Sequence, residues 1–286
     1  RHTILHVSFS NSFGLASAQP STGFVGCAVL YKRLNMSLMP CAERVAQLKS
    51  IVSFDLLSAE ELKMQVAGLY KHSEKVQIDE KNMLTWLILN NISIAEAPTL
   101  PIQYNKGNAL KAASEIAAMA NARTLTIETI KESLNKYGIL YIEVPKLDKA
   151  PIDAFSTMAD AHPVITVTYR YNDMDKLVFD VLHELCHIDR HLTKEQTAFI
   201  SVDDGSYATD PREKEANEFA RQTLIPDTVW GDIMKVGCKS LSPFKIVKTI
   251  AITAESKGIS PSIAVARYKH DTNWYNTSAY RSPKIS

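Results

Sequence analysis

A short segment in the second half of the chain has the residue types and the spacing of a metal-dependent hydrolase site. It reads Val-Leu-His-Glu-Leu-Cys-His, from residue 181 to residue 187. On a helix, His183 and His187 lie four residues apart and project from one face, so their imidazoles can share a tetrahedral zinc ion. Glu184 follows the first histidine, where its carboxylate can take a proton from a water molecule. The pattern H-E-x-x-H therefore predicts two zinc ligands and a general base.

A catalytic zinc ion needs a third protein ligand and one open position. The metzincin arrangement would need a histidine six residues after His187, but that residue is Thr193. His191 stands one turn beyond His187, about 6 Å further along a straight helix, so we predict that it supports the site and is not a ligand. The carboxylates of Glu213 and Glu215 remain as candidates.

The segment around these two carboxylates has the pattern of a second helix. Glu213 and Asn217 share one face at a spacing of four, so Glu213 can bind zinc while Asn217 orients a histidine by a hydrogen bond. Glu215 lies about 160° from Asn217 around the helix. The two side chains therefore face different directions, so Glu215 cannot bind the same zinc ion whose histidine ligand Asn217 orients. We therefore favour Glu213 over Glu215 as the third ligand.

The hydrophobic pattern predicts the elements that must position these residues. Residues 139–144 and 164–169 have the character of strands, and a helix follows Asn172 and Asp175, which stand at capping-box spacing. The second ligand helix is expected to begin near Pro211 and to stop before Pro226. Further helices are predicted at 109–122, at 126–138 with Thr126 as cap, and after Ser242-Pro243 and Ser260-Pro261.

Three stretches of the chain differ in pattern. Residues 1–108 are irregular at first and then carry three helical apolar stripes between 42 and 90, so we expect a largely helical region there. Residues 109–235 hold the candidate site, and 236–286 are expected to be a helical segment that completes the same domain.

Composition excludes some classes of protein. The 286 residues are 45% hydrophobic and 22% charged, with 32 Lys and Arg against 31 Asp and Glu, which gives no global argument for binding nucleic acid. No apolar run reaches the roughly 18 residues that a membrane span needs, so no membrane partner is predicted. Four cysteines, none in a C-x-x-C pair, are typical of reduced thiols, and we expect a cytoplasmic protein.

The stretch from about residue 138 to 226 resembles the ImmA/IrrE family of metallopeptidases. Its marks are a strand, then H-E-L-x-H on a helix, then E-x-x-A-N-x-F-A followed by L-x-P. This sequence has His-Glu-Leu-Cys-His at 183–187 and Glu-Lys-Glu-Ala-Asn-Glu-Phe-Ala from 213, ending at Pro226. The segment 258–267 is similar to the C-terminal G-[IV]-S-P…R segment of the family, and His191 resembles a histidine often found there. Cys186 departs from the pattern, since the family usually has a small residue such as glycine at that place.

The resemblance implies an α+β fold in which a small twisted sheet packs on the H-E-x-x-H helix, with a mainly helical region before it. It also implies thermolysin-like zinc ligands and cytoplasmic cleavage of a helix-turn-helix repressor. Some relatives carry an N-terminal helix-turn-helix and act as transcriptional regulators or antitoxins. The prediction is thus a zinc metalloendopeptidase, and the alternative is a regulator or antitoxin whose zinc is structural or sensory.

Several interpretations remain open on the sequence alone. A helix-turn-helix in the first hundred residues would favour the regulator, and no clear one stands out, so any DNA contact would come from that region or from residues upstream. A scaffold whose N-terminal helices bind a partner is the third alternative. Tyr207 could donate to the oxyanion, and Arg267 could bind the peptide or be a cation at a helix end. Cys186 is either a small buried residue or a redox-active thiol near zinc.

Overall fold

A computed structural model describes residues 79–159, 161–193, 198–202, 210–236 and 242–285. The helices predicted between residues 42 and 78 lie outside the described residues. The chain forms two compact units, and the architecture of the described residues is α+β, as predicted. The first unit takes its described residues from Arg1–Leu100, Leu140–Arg170 and Leu192–Ser206. The second takes them from Pro101–Ile139, Tyr171–His191 and Tyr207–Ser286.

The first unit contains a helix, α1 (Glu80–Ala95), and a four-stranded sheet. The strands are β1 (Leu140–Glu143), β2 (Ile152–Ala159), β3 (His162–Val167) and β4 (Ala198–Val202). They lie in the order β1-β3-β2-β4, and only the β1–β3 pair is parallel among these strands. The structure confirms the strands predicted at 139–144 and 164–169, with shifted ends. The sequence reasoning missed β2 and β4.

The core of the first unit lies between α1 and the sheet. Met83, Trp86 and Leu89 of α1 are buried in a cluster with residues of β1, β2 and β3. The ring of Trp86 meets that of Phe155 edge to face, with centroids 5.9 Å apart, a geometry that aromatic pairs favour. The apolar face of α1 and the β-branched residues of the sheet thus form a core between two layers.

Helices make up the regular structure described in the second unit, apart from one short turn. They are α2 (Asn108–Asn121), α3 (Ile127–Lys136), α4 (Met174–Cys186), α5 (Pro211–Leu224), α6 (Asp227–Lys235), α7 (Pro243–Ser256) and α8 (Pro261–Thr272). α4 packs against both α2 and α5. Alanines supply much of the buried side of α2, which allows close approach of the helices.

The ends of these helices follow local chemistry. Thr126 and Thr129 cap α3 reciprocally, with Thr126 accepting from the Thr129 amide at 3.2 Å. Gly138, the predicted stop, has φ +76°, and a Cβ there would meet the backbone of residues 102–104 at 2.7–2.8 Å. Asp210 caps α5, which begins at Pro211 and ends at Leu224, as predicted.

The cap predicted for α4 is wrong by one residue. Asp173 is the N-cap, and its carboxylate accepts from the Lys176 amide at 3.0 Å. Asn172 instead accepts a hydrogen bond from the amide of Ile285 at 2.7 Å. Both residues have cap chemistry, and the position of the C-terminal tail is a tertiary feature that the sequence pattern does not contain.

α4 does not continue as an α-helix through its second histidine. Residues His187–His191 form one turn of π-helix, which is wider than an α-helical turn. The expectation of a straight helix beyond His187 is therefore wrong. Within the described residues, no helix combines the length and the apolar character needed to cross a membrane.

Candidate metal centre

Three side chains from two helices converge in the second unit. His183 comes from the last turn of α4, His187 begins the π-helical turn that follows it, and Glu213 comes from the first turn of α5. The two Nε2 atoms are 3.0 Å apart. Glu213 places Oε2 3.1 Å from Nε2 of His183 and Oε1 3.4 Å from Nε2 of His187. Among the described residues, this is the one group of three or more His, Cys, Asp or Glu side chains whose ligand atoms all lie within 4.8 Å of one another.

The spacing of these atoms fits a tetrahedral metal ion. Two ligands held about 2.0–2.1 Å from a tetrahedral zinc ion lie about 3.4 Å from each other. The distances of 3.0, 3.1 and 3.4 Å are close to that value. The three residues predicted as ligands are thus brought together by the structure, and they could hold a metal ion.

Asn217 controls the direction in which His183 faces. Its Oδ1 lies 2.9 Å from Nδ1 of His183, one helical turn beyond Glu213, as the spacing predicts. With the amide oxygen as acceptor, the proton of a neutral His183 is on Nδ1, and the lone pair of Nε2 faces the cluster. This is the contact by which a neighbouring side chain orients a metal-binding imidazole.

The charges in the cluster also suit a metal site. Burial lowers the pKa of His187 to about 4, so its ring is neutral at neutral pH. For Glu213, burial opposes ionisation, but the neighbouring imidazoles of His183 and His187 hold the pKa of its carboxyl well below the usual range. Burial likewise opposes protonation of His183, yet the hydrogen bond to Glu213 and the charge of Glu184 raise its pKa overall. A metal ion would replace a proton on His183.

Glu184, the predicted general base, is fully buried on α4 next to His183. It is not a member of the cluster of three ligand residues. Its negative charge is one of the causes of the raised pKa of His183, so it acts on the cluster electrostatically.

Comparison with known families agrees with the motifs. Residues 134–242 match the model of the IrrE N-terminal-like domain, Peptidase_M78. Residues 134–242 are therefore similar to the ImmA/IrrE family. No curated protein matches the chain. The matched residues include α4 and α5, so the candidate metal centre lies inside the segment that is similar to this protease family, whose members are typically metal-dependent.

The sequence reasoning missed the position of Glu215. Its Oε2 lies 3.1 Å from Nε2 of His191, and its Oε1 accepts from Nη1 of Arg190 at 2.7 Å. His191 in turn places Nδ1 2.9 Å from Nδ1 of His187. Glu215, the other candidate for the third ligand, therefore contacts the supporting side of the centre. The π-helical turn brings His191 to that side, and residue spacing alone does not reveal such a turn.

The two predicted substrate contacts have different outcomes. Tyr207 lies outside the described residues. Arg267 lies in the middle of α8, not at its end, and its side chain is only 5% exposed. Its guanidinium donates to the Ile225 carbonyl and to Asp227, both at 2.5 Å, and stacks over the ring of Trp230. These contacts hold α8 to the turn between α5 and α6, which is a structural role.

Cys186, where the sequence departs from the family pattern, is completely buried on α4. Burial raises the pKa of its thiol to about 12, so the nucleophilic thiolate is scarce at neutral pH. These observations favour the interpretation of Cys186 as a small apolar residue over that of a redox-active thiol.

Proposed function

We propose that the protein is a zinc-dependent metalloendopeptidase that hydrolyses a peptide bond in a protein substrate. The observation that supports this most strongly is the convergence of two histidine Nε2 atoms and one carboxylate at 3.0–3.4 Å. Two histidines and a glutamate, with a fourth position open, are a recurrent ligand set of catalytic zinc. The domain match to a protease family supports the same reaction class.

The residues of the chain divide the proposed reaction between them. Bound zinc would lower the pKa of a water molecule and polarise the scissile carbonyl. Glu184 accepts the proton of the attacking water and delivers it to the leaving amine, a contribution of about 10²–10⁴-fold to the rate. Asn217 keeps the ring of His183 turned toward the ion.

For the substrate, we propose a transcriptional repressor with a helix-turn-helix domain. The support is the family resemblance of the two motifs, His183–His187 and the segment from Glu213 to Pro226. A repressor encoded next to the gene of this protein is the first candidate to test.

Glu184→Gln tests the proposed chemistry directly. The variant should bind zinc as the wild type does and should lose cleavage of the repressor, because an amide cannot accept the proton. Zinc content by elemental analysis and cleavage on gels are the measurements. Glu132→Gln, an exposed glutamate of α3, is the matched control and should change neither.

The outcomes separate the two candidate functions. Loss of zinc in Glu184→Gln would make Glu184 a ligand and contradict its role as base. A wild-type protein that holds zinc but cleaves no neighbouring repressor would favour the regulator or antitoxin, in which the metal is structural or sensory.

A further inference from the structure

A chain of hydrogen bonds leads from a surface ion pair to one ligand of the candidate centre. It begins at Arg190, whose Nη1 donates to Oε1 of Glu215 at 2.7 Å. Oε2 of Glu215 lies 3.1 Å from Nε2 of His191, and Nδ1 of His191 lies 2.9 Å from Nδ1 of His187. Nε2 of His187 is the atom that faces the cluster.

The direction of each hydrogen bond follows from the first acceptor. An ionised carboxylate only accepts, so the proton of a neutral His191 must be on Nε2, toward Glu215. Nδ1 of His191 then carries a lone pair and can only accept. The proton of His187 must therefore be on its own Nδ1, which leaves the lone pair of Nε2 directed at the cluster.

We propose that Glu215 is a positioning residue of the metal centre, which acts through His191 to fix the tautomer and the ring orientation of His187. The inference rests on the proposed zinc site. It gives the two histidine ligands different supports, since Asn217 contacts His183 directly and Glu215 contacts His187 through an intervening ring.

A merely structural role explains this arrangement less well. The Glu215 side chain is 47% exposed, and an ion pair such as that with Arg190 at the surface contributes little to stability. His191, in contrast, is buried, so its ring cannot turn to other partners without losing packing. The charge of Glu215 therefore affects mainly the orientation of the two rings and has little effect on the fold.

Glu215→Gln tests the proposal, because a glutamine can donate as well as accept and no longer imposes one tautomer on His191. We expect zinc affinity, measured by competition with a chelator, to fall by about 10-fold or more. Nitrogen-15 NMR of the imidazoles should show His191 protonated on Nε2 and His187 on Nδ1 in the wild type. In the variant, the signals of both rings should shift toward a mixture of tautomers.

The matched control is Glu218→Gln on the same helix. The Glu218 side chain is 50% exposed and pairs with Arg221, away from the histidines. It should change neither the zinc affinity nor the imidazole spectrum, and both variants should unfold at nearly the wild-type temperature when the metal is removed.

The possible failures are distinct. If the wild type binds zinc and Glu215→Gln binds it equally well with an unchanged imidazole spectrum, the inference is overturned and the proposed function stands. If the wild type binds no zinc, the proposed function is overturned and the inference with it. Equal losses of affinity in Glu215→Gln and Glu218→Gln would also overturn the inference, because a general effect of surface charge would then explain both.

Discussion

The second unit contains two clusters of polar and charged side chains, one around His183 and His187 and the other around Arg267. In the first, the Nε2 atoms of two imidazoles and the carboxylate of Glu213 lie 3.0–3.4 Å from one another. In the second, the guanidinium of Arg267 meets acceptors: the Ile225 carbonyl and the carboxylate of Asp227, each at 2.5 Å. In the second cluster a positive donor group thus meets its acceptors, whereas converging lone pairs repel one another unless a cation or a proton lies between them.

This difference distinguishes a site for a ligand from a structural cluster. Both clusters lie at least partly in the interior, and both involve α5 or the turn that follows it. Burial and charge alone would not distinguish the two clusters. The arrangement of donors and acceptors distinguishes them, since only the histidine cluster of these two needs a further positive group to be stable. The comparison predicts that substitutions in the first cluster change metal binding and substitutions in the second change stability.

The largest effect is expected for Glu213→Gln. The substitution removes the negative ligand, so zinc affinity should fall by more than about 100-fold, beyond the range typical of residues that only orient a ligand. Chelator competition measures it, with Glu218→Gln as the control on the same helix. Zinc binding by Glu213→Gln at wild-type affinity would exclude Glu213 as a ligand. The cluster around His183 and His187 would then no longer differ from the Arg267 cluster in the way described above.

Arg267→Ala should affect stability and leave the metal centre unchanged. The buried Ile225 carbonyl loses its charged donor, which should lower the free energy of unfolding by at least about 1–3 kcal/mol. Denaturant unfolding with and without zinc measures it, and Arg281→Ala, an exposed arginine, is the control. A large loss of zinc affinity with unchanged stability would contradict the structural role assigned to Arg267.

The two clusters also differ in how well the sequence predicts them. Glu213 and Asn217 lie four residues apart on α5, and His187 stands four residues after His183, directly after the end of α4. Helical geometry places residues at this spacing on one face whatever the rest of the fold does. A strongly amphipathic pattern and proline punctuation are enough to locate these helices. The family motif links the two pairs, because it contains both H-E-L-x-H and E-x-x-A-N.

The features that the sequence reasoning missed depend on distant packing. The hydrogen-bond acceptors Ile225 and Asp227 are some forty residues from Arg267 in the chain, and no local pattern joins them to it. The π-helical turn at His187–His191 changes the direction of His191 without a proline or glycine to mark it. The strand β2 is mostly buried along its length and lacks the alternation that identifies a half-exposed strand.

Zinc binding should depend on pH in a direction set by His183. Its pKa is raised in the folded protein, so a proton occupies the ligand atom until the pH passes that value. Affinity should therefore rise by up to about tenfold per pH unit through this range and level off above it. The stability of the metal-free protein depends on pH in the opposite direction. Protonation of His183 stabilises the fold fully at a pH below the pKa that this residue has in the unfolded chain, and the stabilisation is lost as the pH rises through its pKa in the folded protein.

Zinc titrations at pH 6, 7 and 8 measure this dependence. In a weakly buffered solution, the proton that zinc displaces from His183 can be followed as a change in pH. Asn217→Ala should weaken binding at each pH, since it removes the acceptor at Nδ1 of His183. An affinity that does not change between pH 6 and 8 would mean that no proton competes with the metal, and would contradict the account of the cluster as converging lone pairs.

The smallest effect is expected for Cys186→Ala. Cys186 precedes the ligand His187 on α4, and its complete burial favours a role in packing over a role in chemistry. Replacing the thiol group by a hydrogen atom removes one buried sulfur atom, so the free energy of unfolding should fall by about 1 kcal/mol or less. Zinc content and its loss under mild peroxide should match the wild type, because burial keeps the thiol pKa near about 12 and the reactive thiolate scarce.

Thiol labelling provides an independent measurement. In the native state both proteins should react to the same extent, and in denaturant the wild type should show one additional reactive thiol. Protection of the zinc site from peroxide by Cys186→Ala would show instead that this cysteine takes part in its chemistry.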